Sequence, residues 1–224
     1  VLTSFLVSNF NVPVTQNYVI NSFSNGEFPM VAVTSGVRDH KLNFKNMFGV
    51  LKLQLKGDRV VKSISVTGRN NEVLAGNATI SAYLDGSVPV IIMDNKGAKT
   101  VTLDCGEAGV QLNHETPTMF MIALPPVPFD KGFDVVITDV NDNIKTLSTS
   151  ASNSIDRSMI LSMPGVNLDS EDGYETEEMP SANCYIISEA GEYRFKTVKG
   201  NSDVSVGAVN HAEVLWESFG TDVT

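Results

Sequence analysis

The chain has 224 residues, of which 42% are hydrophobic and 19% charged, a composition typical of one large or two small globular domains. Its formal net charge of -10 argues against nucleic acid or an anionic membrane surface as a partner, because phosphate binding needs clustered Lys and Arg. No apolar run reaches the roughly eighteen residues that a bilayer-spanning helix requires, so the sequence predicts no transmembrane segment.

Short apolar runs separated by turn residues follow one another along the chain. The first lie at 2–7 and 18–20 around a predicted loop at 9–16, and another follows the Asn25-Gly26 turn at 30–33. Later strand candidates lie at 78–83, 88–93, 100–103, 118–124, 133–140, 144–147 and 157–163. Many short strands with regularly spaced turns, and no helical periodicity, predict an all-β fold built as an antiparallel β-sandwich.

The clearest strand pattern lies in the middle of this series. Leu51, Leu53 and Leu55 alternate with polar residues, as expected of a strand with one buried face. A turn signal at 56–59 is followed by renewed alternation over 60–67. The sequence therefore predicts a hairpin here, as the nucleus of the sheet.

The composition changes after the last of these strands. Residues 1–165 form the predicted sandwich domain, whose first strands we expect to lie in a segment preceding Val1. Residues 166–180 are acidic and poor in apolar side chains, which is typical of a linker. Residues 181–224 are β-rich but too few for an independent core, so they either pack on the first domain or begin a second module.

The order of short motifs along the chain resembles that of the fimbrillin-like surface proteins of Bacteroidetes. The motifs are Phe44-Lys45-Asn46, Gly49-Val50-Leu51, Leu55-Lys56-Gly57, Val61-Lys62-Ser63-Ile64 and Leu74-Ala75-Gly76. Two flanking regions agree, namely Asn21-Ser22-Phe23 with Pro29-Met30-Val31-Ala32-Val33, and Ala182-Asn183-Cys184-Tyr185-Ile186-Ile187-Ser188. The resemblance covers most of residues 17–124 and 181–219.

This resemblance implies a transthyretin-like, Greek-key sandwich and a non-enzymatic role as a cell-surface adhesin or fimbria-like structural component. It also implies export and a lipid anchor in a segment preceding Val1. Other fimbrial subunits would be partners through β-strand addition, in which main-chain hydrogen bonds supply the affinity. Host or bacterial surface glycans or proteins are the other candidate partners. The alternative function is that of a glycan-binding surface lipoprotein.

One oxygen-rich motif matches the calcium linker of cadherins. It contains Asp139, Asn141, Asp142 and Asn143, whose side chains suit a hard cation. The motif lies between two strand candidates, however, and a hairpin turn explains it more simply. The acidic stretch 169–178 likewise fails the spacing of a helix-loop-helix calcium site and is predicted to be a solvated linker.

No motif for catalysis surrounds the histidines or cysteines. His40, His114 and His211 lack the spacing of a transition-metal site, and we expect no cofactor. A nucleophilic pair of Cys105 and His114 remains open, although such isolated residues are usually structural. Cys105 and Cys184 lie in different predicted modules, so both a disulfide between them and two free thiols are compatible with the sequence.

Overall fold

The computed structural model describes residues 4–34, 36 and 41–169, together with the backbone of two short strands farther along the chain. The chain divides into two compact units, Val1–Glu175 and Thr176–Thr224. Strands and turns, without a helix, make up the described residues. The predicted all-β fold is therefore confirmed.

The strands of the first unit are short and closely spaced. In chain order they are β1 (Ser4–Val12), β2 (Thr15–Val19), β3 (Ser22–Phe23), β4 (Met30–Val31), β5 (Lys45–Asn46), β6 (Gly49–Lys56), β7 (Val60–Gly68), β8 (Gly76–Tyr83), β9 (Val90–Met93), β10 (Thr100–Asp104), β11 (Val110–Gln111), β12 (Thr118–Leu124), β13 (Val127–Phe129), β14 (Phe133–Asp139), β15 (Ile144–Thr149), β16 (Asn153–Ile155), β17 (Ile160–Ser162) and β18 (Val166–Asn167). In the second unit, β19 (Tyr193–Arg194) pairs antiparallel with β20 (Asp222–Val223).

Three sheets of at least three strands lie in the described part of the first unit. The largest has the order β15-β14-β7-β10-β2-β3, with β11 also paired to β7, and the second has the order β12-β6-β17, with β18 also paired to β6. The third sheet has the order β1-β8-β9, and β4–β5 and β13–β16 form separate pairs. Most pairs are antiparallel, whereas β2–β10, β6–β17 and β6–β18 are parallel.

The apolar faces of these sheets meet in one core of a β-sandwich. In β6, Leu51, Leu53 and Leu55 are buried, and in β7, Ile64 and Val66 are buried. All five belong to a single cluster that also takes side chains from β8, β10, β12 and β14. The alternation found in the sequence therefore correctly identifies the inward faces. The transthyretin-like topology stays a prediction.

The predicted hairpin between β6 and β7 is wrong. The turn at Gly57 is present, with φ of 130°, but β6 pairs with β12, β17 and β18, while β7 pairs with β14, β10 and β11. The chain thus crosses from one sheet to another at this turn. Two strands that face each other across a core show the same alternation as two neighbours in one sheet, so the pattern does not distinguish these arrangements.

Two predicted boundaries also differ from the structure. The loop expected at 9–16 is mostly strand, because β1 extends to Val12 and β2 begins at Thr15. The sandwich continues past residue 165, since β18 pairs with β6 and both Val166 and Leu168 are buried. The first residues of the predicted acidic linker therefore belong to the sandwich.

Candidate functional site

The third sheet ends on one side in strand β1. Strand β1 pairs antiparallel with β8 from Ser4 opposite Tyr83 to Val12 opposite Gly76, with a register shift after Val7. Among the described strands, none pairs with the second side of β1. Strand β1 is therefore an edge strand of the described sheet, the position at which a β-sheet can accept a further strand.

The opposite edge of the same sheet exposes apolar side chains. Strand β9 pairs with β8 alone among the described strands. Val90 and Ile92 on this strand are 43% and 63% exposed, and Val88 just before it is 59% exposed. Exposed apolar residues on an edge strand are typical of a surface that contacts another chain.

A cavity of about 510 Å³ lies where β8 leaves the sheet. Its wall combines apolar and polar side chains from Val31, Val33, Lys41, Asn43, Lys45, Ala82, Tyr83, Leu84, Gly86, Ser87 and Pro89. The Nζ of Lys45 donates hydrogen bonds to the carbonyl oxygens of Gly86 and Ser87, which ties the two sides of the wall together. The cavity is partly open to solvent.

The calcium candidates form the turn between β14 and β15. The Asp139 carboxylate accepts hydrogen bonds from the backbone N–H of Asn141 and from both the backbone and side-chain N–H of Asn143, each at 2.9 Å. Asp142 adopts a φ of 59° and pairs with Lys62. N–H donors therefore face the Asp139 oxygens, as in a side-chain-capped hairpin turn.

The pKa of Asp139 follows from this geometry. Burial alone raises the pKa of the Asp139 carboxyl, but the hydrogen bonds from Asn143 and Asn141 and the charge of Arg59 outweigh it. The net result is a pKa below the ordinary value. The carboxylate therefore stays charged at neutral pH and stabilises the turn.

The structure brings together three residues that the sequence places far apart. Nε2 of His114 lies 2.6 Å from Oδ1 of Asp58, and its Nδ1 lies 3.5 Å from Oδ2 of Asp169. One ligand atom from each residue can be chosen so that all three lie within 4.8 Å of one another. Asp58 and His114 belong to turns, and Asp169 follows β18. No short motif signals this cluster, because its three residues lie far apart in the sequence.

The other candidate residues stay apart from this cluster or lie outside the described range. Cys105 is half-buried, and the pKa of its thiol is raised to about 12 by burial and by the Asp104 charge. This protonated state is the opposite of what a nucleophile needs. Cys184, His40 and His211 lie outside the described residues, so neither the disulfide nor a role for these two histidines is tested. Residues 170–178 of the acidic stretch also lie outside the described residues.

No protein-family model matches this chain, and no curated protein shows significant similarity to it. Within the described residues, no helix has the length and apolar character needed to cross a membrane.

Proposed function

We propose that this chain is a non-enzymatic structural or adhesive component of a bacterial cell surface that assembles by β-strand addition. The observation that carries the proposal is the pairing of β1 with β8 at an open sheet edge. A strand that pairs on only one side can be exchanged for the equivalent strand of another copy. The resemblance of the sequence motifs to those of fimbrillin-like proteins independently leads to the expectation of assembly by β-strand addition.

The exchange would be directional, because the donor and the acceptor are different surfaces. A copy that releases β1 offers the vacated side of β8, from Gly76 to Tyr83, and its free β1 can pair with β8 of the next copy. Heterologous contacts of this kind either close into rings or extend into fibres. The register shift after Val7 interrupts the ladder that holds β1 in place, and so favours release.

The exposed apolar residues of β9 supply a second contact surface on the same sheet. Val88, Val90 and Ile92 lie at the edge opposite β1, so strand exchange at β1 leaves them exposed. In an adhesin, such a patch contacts a host or bacterial surface protein; in a fibre, it contacts a neighbouring subunit. The proposal also includes export of the chain and a lipid anchor that holds it at the cell surface.

Self-association of the full chain tests this function. We expect static light scattering to detect oligomers after prolonged incubation at high concentration, and a Val7→Pro variant to change their amount. Lys99→Pro is a matched control, because residue 99 lies between β9 and β10 and outside the β1–β8 ladder. Monomers under all conditions, with identical behaviour of both variants, would favour a monomeric adhesin over an assembling subunit.

A second function, glycan binding, is favoured by the cavity beside β8. Tyr83 offers a ring on which a sugar can stack, and Asn43 and Ser87 offer polar groups for sugar hydroxyls. A glycan array with the intact chain tests this function. Binding that is lost in Tyr83→Ala but kept in Tyr18→Leu would support it, because Tyr18 contacts Phe120 instead of the cavity.

A further inference from the structure

Small and large residues alternate along the face of β8 that is turned to the core. Ala78, Ile80 and Ala82 are 3%, 5% and 3% exposed. In the register of the sheet, Phe10 of β1 lies opposite Ala78, and Phe5 lies opposite Ala82. Residues directly opposite each other in an antiparallel pair are close neighbours on one face of the sheet. At both positions, therefore, a large residue of β1 is paired with a small residue of β8.

The row of residues through Ala78 continues into β9. Met93 lies opposite Ala78 on the side away from β1, and both Phe10 and Met93 are partly buried against the core. The row thus has one small residue between two large ones. Because protein interiors are close-packed, the room that Ala78 leaves is filled by its neighbours. A larger residue at position 78 would leave less room for an aromatic ring in the strand beside it.

The ladder of β1 is interrupted at the point that brings Phe10 into this row. Two residues separate Val7 from Phe10 in β1, whereas one residue separates their partners in β8. One extra residue on one strand is the geometry of a β-bulge. In an uninterrupted ladder continuing from Val7, Asn9 would lie opposite Ala78. The extra residue therefore puts Phe10 in the place that a polar residue would take.

Side chains determine the register of β1 more strongly than its ladder does. Main-chain hydrogen bonds form at any register, whereas apolar side chains are buried only when they lie on the face turned to the core. Beyond Phe10, Asn11 is exposed and Val12 is fully buried opposite Gly76, so the new phase is kept to the end of the strand. An apolar residue opposite Ala78 thus outweighs the regularity of the ladder.

We propose that Phe10, opposite Ala78, determines which strand β8 accepts. This inference rests on the proposed assembly by strand addition and names its partner, a second copy of this chain whose own Phe10 supplies the aromatic ring. A strand without an aromatic residue at this position would form main-chain bonds but leave a cavity beside Ala78. Phe10 is therefore the specificity-determining residue of the donor strand, and Ala78 is that of the acceptor.

Uptake of a labelled peptide by the full chain tests this proposal. The peptide has the sequence of residues 1–14, is added in excess, and is followed by size-exclusion chromatography with fluorescence detection. We expect uptake of the native peptide and at least about tenfold less uptake of a Phe10→Ala peptide, which leaves a cavity. Asn11→Ala is the matched control, because Asn11 is exposed on the same strand. Its uptake should equal that of the native peptide.

A change on the acceptor side gives a complementary measurement. Ala78→Leu in the full chain takes up the room of the aromatic ring, so this variant should prefer the Phe10→Ala peptide to the native one. Such a reversal of preference cannot come from a general loss of stability, because both peptides meet the same variant. If Ala78→Leu fails to fold, the peptide series with the original chain decides alone.

The outcomes distinguish this inference from the proposed function. Equal uptake of the native and Phe10→Ala peptides would overturn the role of Phe10 and leave strand addition in place. Uptake of no peptide, by a chain that also stays monomeric, would overturn both. In a folded Ala78→Leu variant, an unchanged preference for the native peptide would overturn the role of Ala78.

Discussion

The side-chain amide of Gln16 pairs with both backbone groups of Ala123. Gln16 Nε2 donates to the carbonyl of Ala123 at 2.6 Å, and the Ala123 N–H donates to Gln16 Oε1 at 2.9 Å. Gln16 lies in β2 of the largest sheet and is fully buried, whereas Ala123 lies in β12 of the second sheet. One amide therefore links the two sheets and satisfies a strand edge inside the core.

Replacing this amide by an apolar side chain should be strongly destabilising. In Gln16→Leu, two buried backbone groups of Ala123 lose their partner, at a cost of about 2–4 kcal/mol in the free energy of unfolding. Urea denaturation measures this cost. Gln54→Leu, at a half-buried position of β6, is the matched control and should cost less than about 1 kcal/mol. Equal costs would mean that the Gln16–Ala123 pair does not stabilise the sandwich.

Neighbouring positions of β6 should respond very differently to a carboxylate. Leu53 is 1% exposed, so Leu53→Asp buries a charge in the core and should lower the free energy of unfolding by at least about 3 kcal/mol. Lys52 points to the other face and is half-buried, so Lys52→Asp should cost less than about 1 kcal/mol. Thermal unfolding of both variants checks the strand assignment, and similar melting temperatures would refute it.

The turn at Asp139 should make stability depend on pH in the acid range. Its pKa is lower in the folded chain than the ordinary 3.8, so the unfolded chain binds the proton first as pH falls. The Asp139 carboxylate contributes its full stabilisation at pH values above the ordinary pKa of an aspartate. This stabilisation is lost as the pH falls through the lower pKa that Asp139 has in the folded chain. Chemical denaturation should therefore show a difference between the original chain and Asp139→Asn that is constant near neutrality and shrinks below about pH 4.

Asp142→Asn is the control for this prediction. Asp142 is largely exposed in the same turn and pairs with Lys62 at the surface, where ion pairs contribute little. Its stability difference from the original chain should stay small at every pH. An Asp139→Asn difference that grows on acidification would contradict the assigned direction of the pKa shift.

Cys105 should react slowly with alkylating reagents. Burial and the Asp104 charge raise its pKa to about 12, so little thiolate is present near neutrality. We expect iodoacetamide to modify Cys105 at least about a hundredfold more slowly in the native chain than in urea. Peptide mass spectrometry measures the two rates. Comparable rates would mean that the thiol is accessible and that its pKa is not raised, and would reopen Cys105 as a nucleophile.

Local pattern predicted the strands well but did not predict which strands pair. Strand β12 begins and ends where the apolar run 118–124 predicts. Such a run depends only on residues that are neighbours in the sequence, so it can be recognised without knowing the fold. The sequence does not show that the chain crosses from one sheet to another at Gly57. Two strands have the same alternation of buried and exposed residues whether they pair in one sheet or face each other across the core. The cluster around His114 was missed because it depends on contacts between turns about 55 residues apart, which follow only from the sheet order.

In the proposed assembly, β1 of one copy replaces β1 of another along β8. The most direct measurement uses a chain trimmed to begin at Pro13, which vacates one side of β8, and a peptide of residues 1–14. Fluorescence anisotropy of the labelled peptide should show saturable binding to the folded, trimmed chain and much weaker binding of a peptide with proline at both Leu6 and Val7. A folded, trimmed chain that binds neither peptide, or binds both equally, would contradict assembly by strand addition at this edge.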